Sequence, residues 1–121
     1  MRTNDIDIHV YLSLNDGVIA AGGMLEGVAE IGLGAQIPNH GRLEVLWYTT
    51  GQGEPDSGVI YRVELGHGKA LKGKEVPFSV TLPPIPRSYE GTLFQVRWMV
   101  RIAVELAGGR VAEYKHDFRM I

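Results

Sequence analysis

Apolar and polar residues alternate along most of this chain, and the alternation is sharpest towards its C-terminal end. Phe94, Val96, Trp98, Val100, Ile102, Val104 and Leu106 fall on one face, and Leu93, Gln95, Arg97, Met99, Arg101, Ala103 and Glu105 on the other. Successive side chains of a strand point to opposite faces, so this segment predicts one long strand with a buried side. Similar patterns place strands at Ile6–Leu14, Leu43–Tyr48, Val76–Leu82 and Val111–Met120. A weaker strand is expected at Met24–Leu33, and a further strand at Val59–Leu65. Gly27 and Gly32 interrupt the first of these, and a glycine inside a strand marks a bulge or a close backbone approach.

Between these segments the chain is punctuated by turn formers. Asn15-Asp16-Gly17 and Pro38-Asn39-His40-Gly41 read as turns, and Gly51–Gly58 and Gly66–Lys74 as polar loops. Pro83, Pro84 and Pro86 lack donors and end the strand before them. The last hairpin carries a parity constraint. Even-numbered residues are the apolar ones on both of its strands, and opposed residues of an antiparallel pair share a face. Paired numbers must therefore sum to an even value. A two-residue Gly108-Gly109 turn breaks that rule, so an odd loop or a bulge is expected at Ala107–Gly109. No segment of about ten residues shows a helical period. The expectation is an all-β chain: an antiparallel, immunoglobulin-like β-sandwich of about seven or eight strands without significant helix, one domain over 1–121.

Composition narrows the function. The chain has 121 residues and no cysteine, which excludes disulfides, thiolate metal sites and a cysteine nucleophile. Its net charge is −2, from 12 basic and 14 acidic residues with the signs interspersed. Phosphate-backbone binding needs clustered cations, so nucleic acid is not expected as a partner. No run approaches the ~18 apolar residues of a membrane span, and the first residues lack a secretory leader's apolar core. A cytoplasmic location is expected.

Candidate chemistry is sparse. Gly68–Lys74 satisfies G-x-x-x-x-G-K, but Glu75 stands where a phosphate-binding loop needs Ser or Thr, and a strand pattern follows where it needs a helix. His9, His40, His67 and His116 form no close pair, and the serines lack a nucleophile-elbow context. No cofactor is expected, and no catalytic or metal site is assigned. Tyr11, Tyr48, Tyr61, Arg97, Met99 and Arg101 lie on faces read as polar or semi-exposed. Arg, Met and Tyr are enriched at protein interfaces, which makes Arg97, Met99 and Arg101 the candidate protein-binding residues.

One stretch has a family likeness. Pro77, Phe78, Leu82 and Pro83, then Pro86, Ser88, Tyr89, Glu90 and Gly91, then Val96, Arg97 and Trp98 resemble the proline-bounded strand, turn and long aromatic strand of the arrestin-like N-terminal domain. That group includes Vps26-type and bacterial sporulation-control proteins. Gly23–Val28 resembles the family's early glycine-bearing strand, and the likeness extends from about Gly22 to Leu106. Arrestins carry two sandwiches, whereas this chain has room for one. The resemblance implies a non-catalytic interaction scaffold that binds protein partners, with a homodimer through an edge strand as one possibility. The alternatives are a sandwich that binds a ligand such as carbohydrate, if Tyr11, Tyr48 and Tyr61 converge, and a metal-dependent enzyme, if histidines and acids do.

Overall fold

A computed structural model describes residues 7–14, 16–32, 38–71 and 73–121. Among these the chain forms nine strands: β1 (Asp7–Leu12), β2 (Val18–Ile19), β3 (Met24–Gly32), β4 (Pro38–Gly51), β5 (Ser57–His67), β6 (Lys74–Thr81), β7 (Tyr89–Glu90), β8 (Phe94–Leu106) and β9 (Val111–Met120). The two beyond the expected count, β2 and β7, are two residues long. Ile6, Asn15 and Leu33, at the ends of predicted elements, lie outside the described residues.

The strands form a two-layer sandwich. One sheet has three strands in the order β1-β3-β6; the other has six, with β2-β9-β8-β4-β5 in a row and β7 paired to the start of β8. All pairings are antiparallel except β2 with β9. The inner face of the small sheet carries Ile8 and Val10, Leu25, Ala29 and Ile31, and Phe78. These meet Leu43 and Val45, Trp98, Val100, Ile102 and Val104, and Phe118 of the large sheet.

Trp98 lies at the centre of β8. It is fully buried, stands opposite Trp47 and Phe118, and packs 6.0 Å from the Phe118 ring centroid. Its indole N–H donates to the Pro86 carbonyl at 2.7 Å. This bond satisfies the one polar group the ring takes into the core and ties the proline segment to the sheet.

The hairpin obeys its parity rule. Trp98 pairs with Phe118 and Ile102 with Tyr114, so apolar residues face apolar ones. The Leu106 amide donates to the Arg110 carbonyl at 2.7 Å, which leaves Ala107, Gly108 and Gly109 as an odd three-residue loop. Gly108 and Gly109 have φ of 83° and 82°, a left-handed conformation that glycine adopts without strain.

Two expected loops differ. Pro38–Gly41 is the start of β4 and not a turn. Proline is tolerated as the first residue of a strand, and Gly41 meets a packing need: a Cβ there would sit 2.9 Å from Leu71 Cδ2. The segment Gly66–Lys74 is only partly a solvated loop. A short 3₁₀ turn at Gly68–Leu71 drops Leu71, fully buried, into the core beside β4. Lys72 lies outside the described residues, and β6 starts at Lys74, so a strand follows the G-x-x-x-x-G-K sequence.

Candidate functional site

Arg97, Met99 and Arg101 project from β8 on the side facing away from the small sheet, and register defines what surrounds them. Arg101 stands opposite Glu44 on β4 and Lys115 on β9, and Glu44 stands opposite Arg62 on β5. One transverse row therefore reads Arg62, Glu44, Arg101, Lys115. The next row reads Val59, Leu46, Met99, Asp117, and beyond it Tyr48 stands opposite Ser57 and Arg97.

Glu44 is the sole buried charged side chain among the described residues, at 1% exposure. Three arginines surround it. Arg62 Nε donates to Oε2 at 2.7 Å and Arg101 Nε to Oε1 at 3.0 Å, with a further Nη2 contact from each. Arg42 Nε lies 3.8 Å from Oε2, buried and without a hydrogen-bond partner. Burial by itself raises the carboxyl pKa. The hydrogen bonds and positive charges of Arg101 and Arg62 together outweigh it and hold the group below its ordinary value. A carboxylate engaged by two guanidiniums at once fixes both in place.

The neighbouring row is apolar at its floor. Leu46 and Met99 are 3% and 7% exposed although no strand among the described residues covers this face. The Tyr48 hydroxyl reaches across β8 to donate to Asp117 Oδ2 at 3.2 Å. Burial and the Asp117 carboxylate both raise the Tyr48 pKa, with Arg97 opposing, so the tyrosine stays a neutral donor. A shallow concavity results, floored by Leu46 and Met99 and rimmed by Tyr48, Val59, Arg101 and Lys115. Val59 and Lys115 are exposed, and Arg97 is partly paired with Glu90 at 3.5 Å.

The face thus brings Arg97, Met99 and Arg101 together, with one correction. Met99 is not semi-exposed: its own neighbours bury it. Tyr61 was also misplaced on the polar side. A bulge in β5 opposite Val45 and Leu46 shifts the phase there, so Tyr61 pairs with Val45 and packs half-buried against the core. The three tyrosines of the carbohydrate alternative do not converge: Tyr11 is on the small sheet, Tyr61 faces inward, and Tyr48 faces out from the large sheet. His9 contacts Asp7, and its ring lies 6.1 Å from Tyr114, which in turn lies 6.4 Å from His116. His40 Nε2 lies 3.1 Å from Glu105 Oε2. Among the described residues no group of three or more histidines and acids is placed to hold a metal ion.

Sequence reasoning missed Glu44, Arg42, Arg62 and the Tyr48–Asp117 bridge. Alternation put Glu44, Tyr48 and Asp117 on the outer sides of their strands and gave no role to Arg42 or Arg62. Their contacts depend on register between strands 18 and 57 residues apart, which no local pattern contains.

Comparison with known proteins places the fold. No family matches the chain, and no curated protein matches it. Among solved structures, the sporulation control protein Spo0M of Bacillus subtilis superposes with a TM-score of 0.68 at 15% identity, covering 95% of this chain and 49% of that one. The chain therefore spans about half the length of this neighbour. A superoxide reductase (neelaredoxin) of Ignicoccus hospitalis superposes at 0.50 with 10% identity, covering 94% of this chain and 80% of that one. At these identities the likeness is one of fold: the β-sandwich described above is shared with Spo0M.

Proposed function

We propose that the chain is a non-catalytic, arrestin-like protein-interaction module whose partner surface is the outer face of the six-stranded sheet around Arg97, Met99 and Arg101. The observation that carries this reading is the state of that face. Its aliphatic floor lies in a shallow concavity, and Arg62 and Arg101 are held by a buried carboxylate although no strand among the described residues lies over them. Ordered arginine and methionine on a concave, uncovered face are what a binding surface requires. The fold shared with Spo0M supports a regulatory module of this type. In this proposal residues 1–121 act as one lobe, in the cytoplasm, without a cofactor.

The test is affinity capture from the native cell with chemical crosslinking. The bait is the full chain, wild type against Arg97→Glu/Lys115→Glu, with Glu75→Lys on the small sheet as control. A protein recovered by the wild type and the control but lost from the double variant is the expected result. Capture of nothing specific, or of a partner that survives the double substitution, contradicts the proposal. No helix among the described residues is long and apolar enough to cross a membrane.

A further inference from the structure

We propose that the partner presents an extended segment carrying an aliphatic side chain and a carboxylate two positions apart, which dock on the Leu46–Met99 floor and on Arg101 and Lys115 respectively. This rests on the outer face of the large sheet being the partner surface, and it adds the chemistry of what binds there.

The argument begins with the floor. Leu46 and Met99 offer two adjacent apolar side chains, with Val59, 44% exposed, continuing the row towards the β5 edge. Leu46 and Met99 are already largely buried, so an aliphatic side chain laid in this concavity removes apolar surface from water chiefly at Val59 and on its own side. A polar one gains nothing from the floor.

Charge then decides the neighbour. The carboxylates that border the concavity are already engaged: Glu44 by Arg62 and Arg101, and Asp117 by the Tyr48 hydroxyl. The cations are in excess. Arg62, Arg101 and Lys115 share one row with the single acid Glu44, whereas Arg97, opposite Tyr48 on the far side of the floor row, is partly paired with Glu90. Each guanidinium keeps donors beyond those it gives to Glu44, because arginine has five in a fixed fork. Arg101 and Arg62 are 26% and 58% exposed at their side chains, so those donors reach solvent. Since Glu44 holds them in place, an incoming anion finds them already ordered and loses less entropy on binding. A basic segment meets like charge along this row. Glu64 and Glu113 stand one row further from the floor, opposite Arg42 and Ala103.

Spacing supplies the final constraint. The floor row and the cation row are two residues apart along each strand, about 7 Å. Side chains i and i+2 of an extended peptide share a face at the same spacing. A strand-like segment therefore places one aliphatic group over Met99 and one carboxylate at Arg101 and Lys115 without bending.

The experiment is selection of random linear peptides displayed on phage against the full chain, with binding of synthetic hits measured by fluorescence anisotropy. The expected hits carry Asp or Glu two positions from Leu, Ile, Val or Met. Their affinity falls at least ~10-fold on Lys115→Glu, a surface substitution that leaves the circular dichroism spectrum unchanged. Affinity also falls with added salt. Hits without acidic residues, or hits indifferent to Lys115→Glu, overturn this inference. If those hits still lose binding on Val59→Lys, the face remains the partner surface and only the acidic chemistry is wrong. Failure to enrich any peptide that Val59→Lys weakens removes both readings.

Discussion

Two side chains, Trp98 and Glu44, carry most of what this structure says at the residue scale. Trp98 fills the centre of the core and satisfies its own N–H through Pro86. Truncation to alanine leaves a large cavity and an unpaired carbonyl, so Trp98→Ala should destabilise the chain by about 3–5 kcal/mol in urea unfolding. A loss below about 1 kcal/mol contradicts its placement. Its core position was legible from alternation alone; its bond to Pro86 was not, because the proline segment has no period to read. Glu44 makes the opposite case. Its position on a polar face suggested solvent, and it is buried because arginines from β5 and β8 close over it. Glu44→Gln should cost about 1–3 kcal/mol at neutral pH, since neutralising the acid leaves the guanidiniums poorly compensated. The pH dependence has a definite sign. The folded carboxyl titrates below its ordinary value of 4.5, so its contribution is complete above that value and is lost as pH falls through the lowered one. The gap in stability between wild type and Glu44→Gln should stay constant above about pH 5 and close on further acidification, as read from denaturant melts at several pH values.

Among the elements, parity and close approach decide what the sequence can afford to change. The loop at Ala107–Gly109 must stay odd. Deleting Gly108 brings each apolar residue of β9 opposite a polar one on β8, and should cost about 3 kcal/mol or more. Inserting two residues preserves the parity and should cost less than about 1 kcal/mol, because loop closure grows slowly with length. Equal losses from the two variants in thermal melts contradict the register. Gly27 was read as marking a bulge or a close approach, and the structure shows the second: a Cβ there would lie 2.6 Å from the Tyr11 carbonyl and 2.7 Å from Phe78 Cζ. Gly27→Ala should therefore destabilise the small sheet despite alanine's better backbone entropy, measured as a lower melting temperature. The same kind of glycine was misread at Gly41. Pro-Asn-His-Gly matches a turn by residue type, and nothing local shows that Leu71 needs the missing Cβ. The free edges also bear on assembly. β5 carries a bulge and the charges Arg62 and Glu64, and β6 carries Pro77. Bulges, charges and proline all weaken edge-to-edge pairing. Sedimentation equilibrium of the isolated chain should accordingly show a monomer, and a dimer abolished by substitutions in β5 would restore the edge-paired homodimer.

For the whole molecule, the sandwich hides one face of each sheet, and the proposed partner surface is the outer face of the larger one. The fold class was legible because most long strands, β8 and β9 above all, announce their buried side. The proposed binding face was outlined in the sequence only by Arg97, Met99 and Arg101. Its depth, its aliphatic floor and its locked arginines arise from the order β9-β8-β4-β5, in which sequence neighbours such as β8 and β9 lie beside a strand from the first half of the chain. The most direct measurement is amide chemical-shift mapping by NMR on the isotope-labelled full chain, titrated with a selected peptide. The account predicts shifts concentrated at Leu46, Tyr48, Val59, Met99, Arg101 and Lys115. Shifts confined to β1, β3 and β6, or to the Trp47 end of the core with none on the outer face, contradict it.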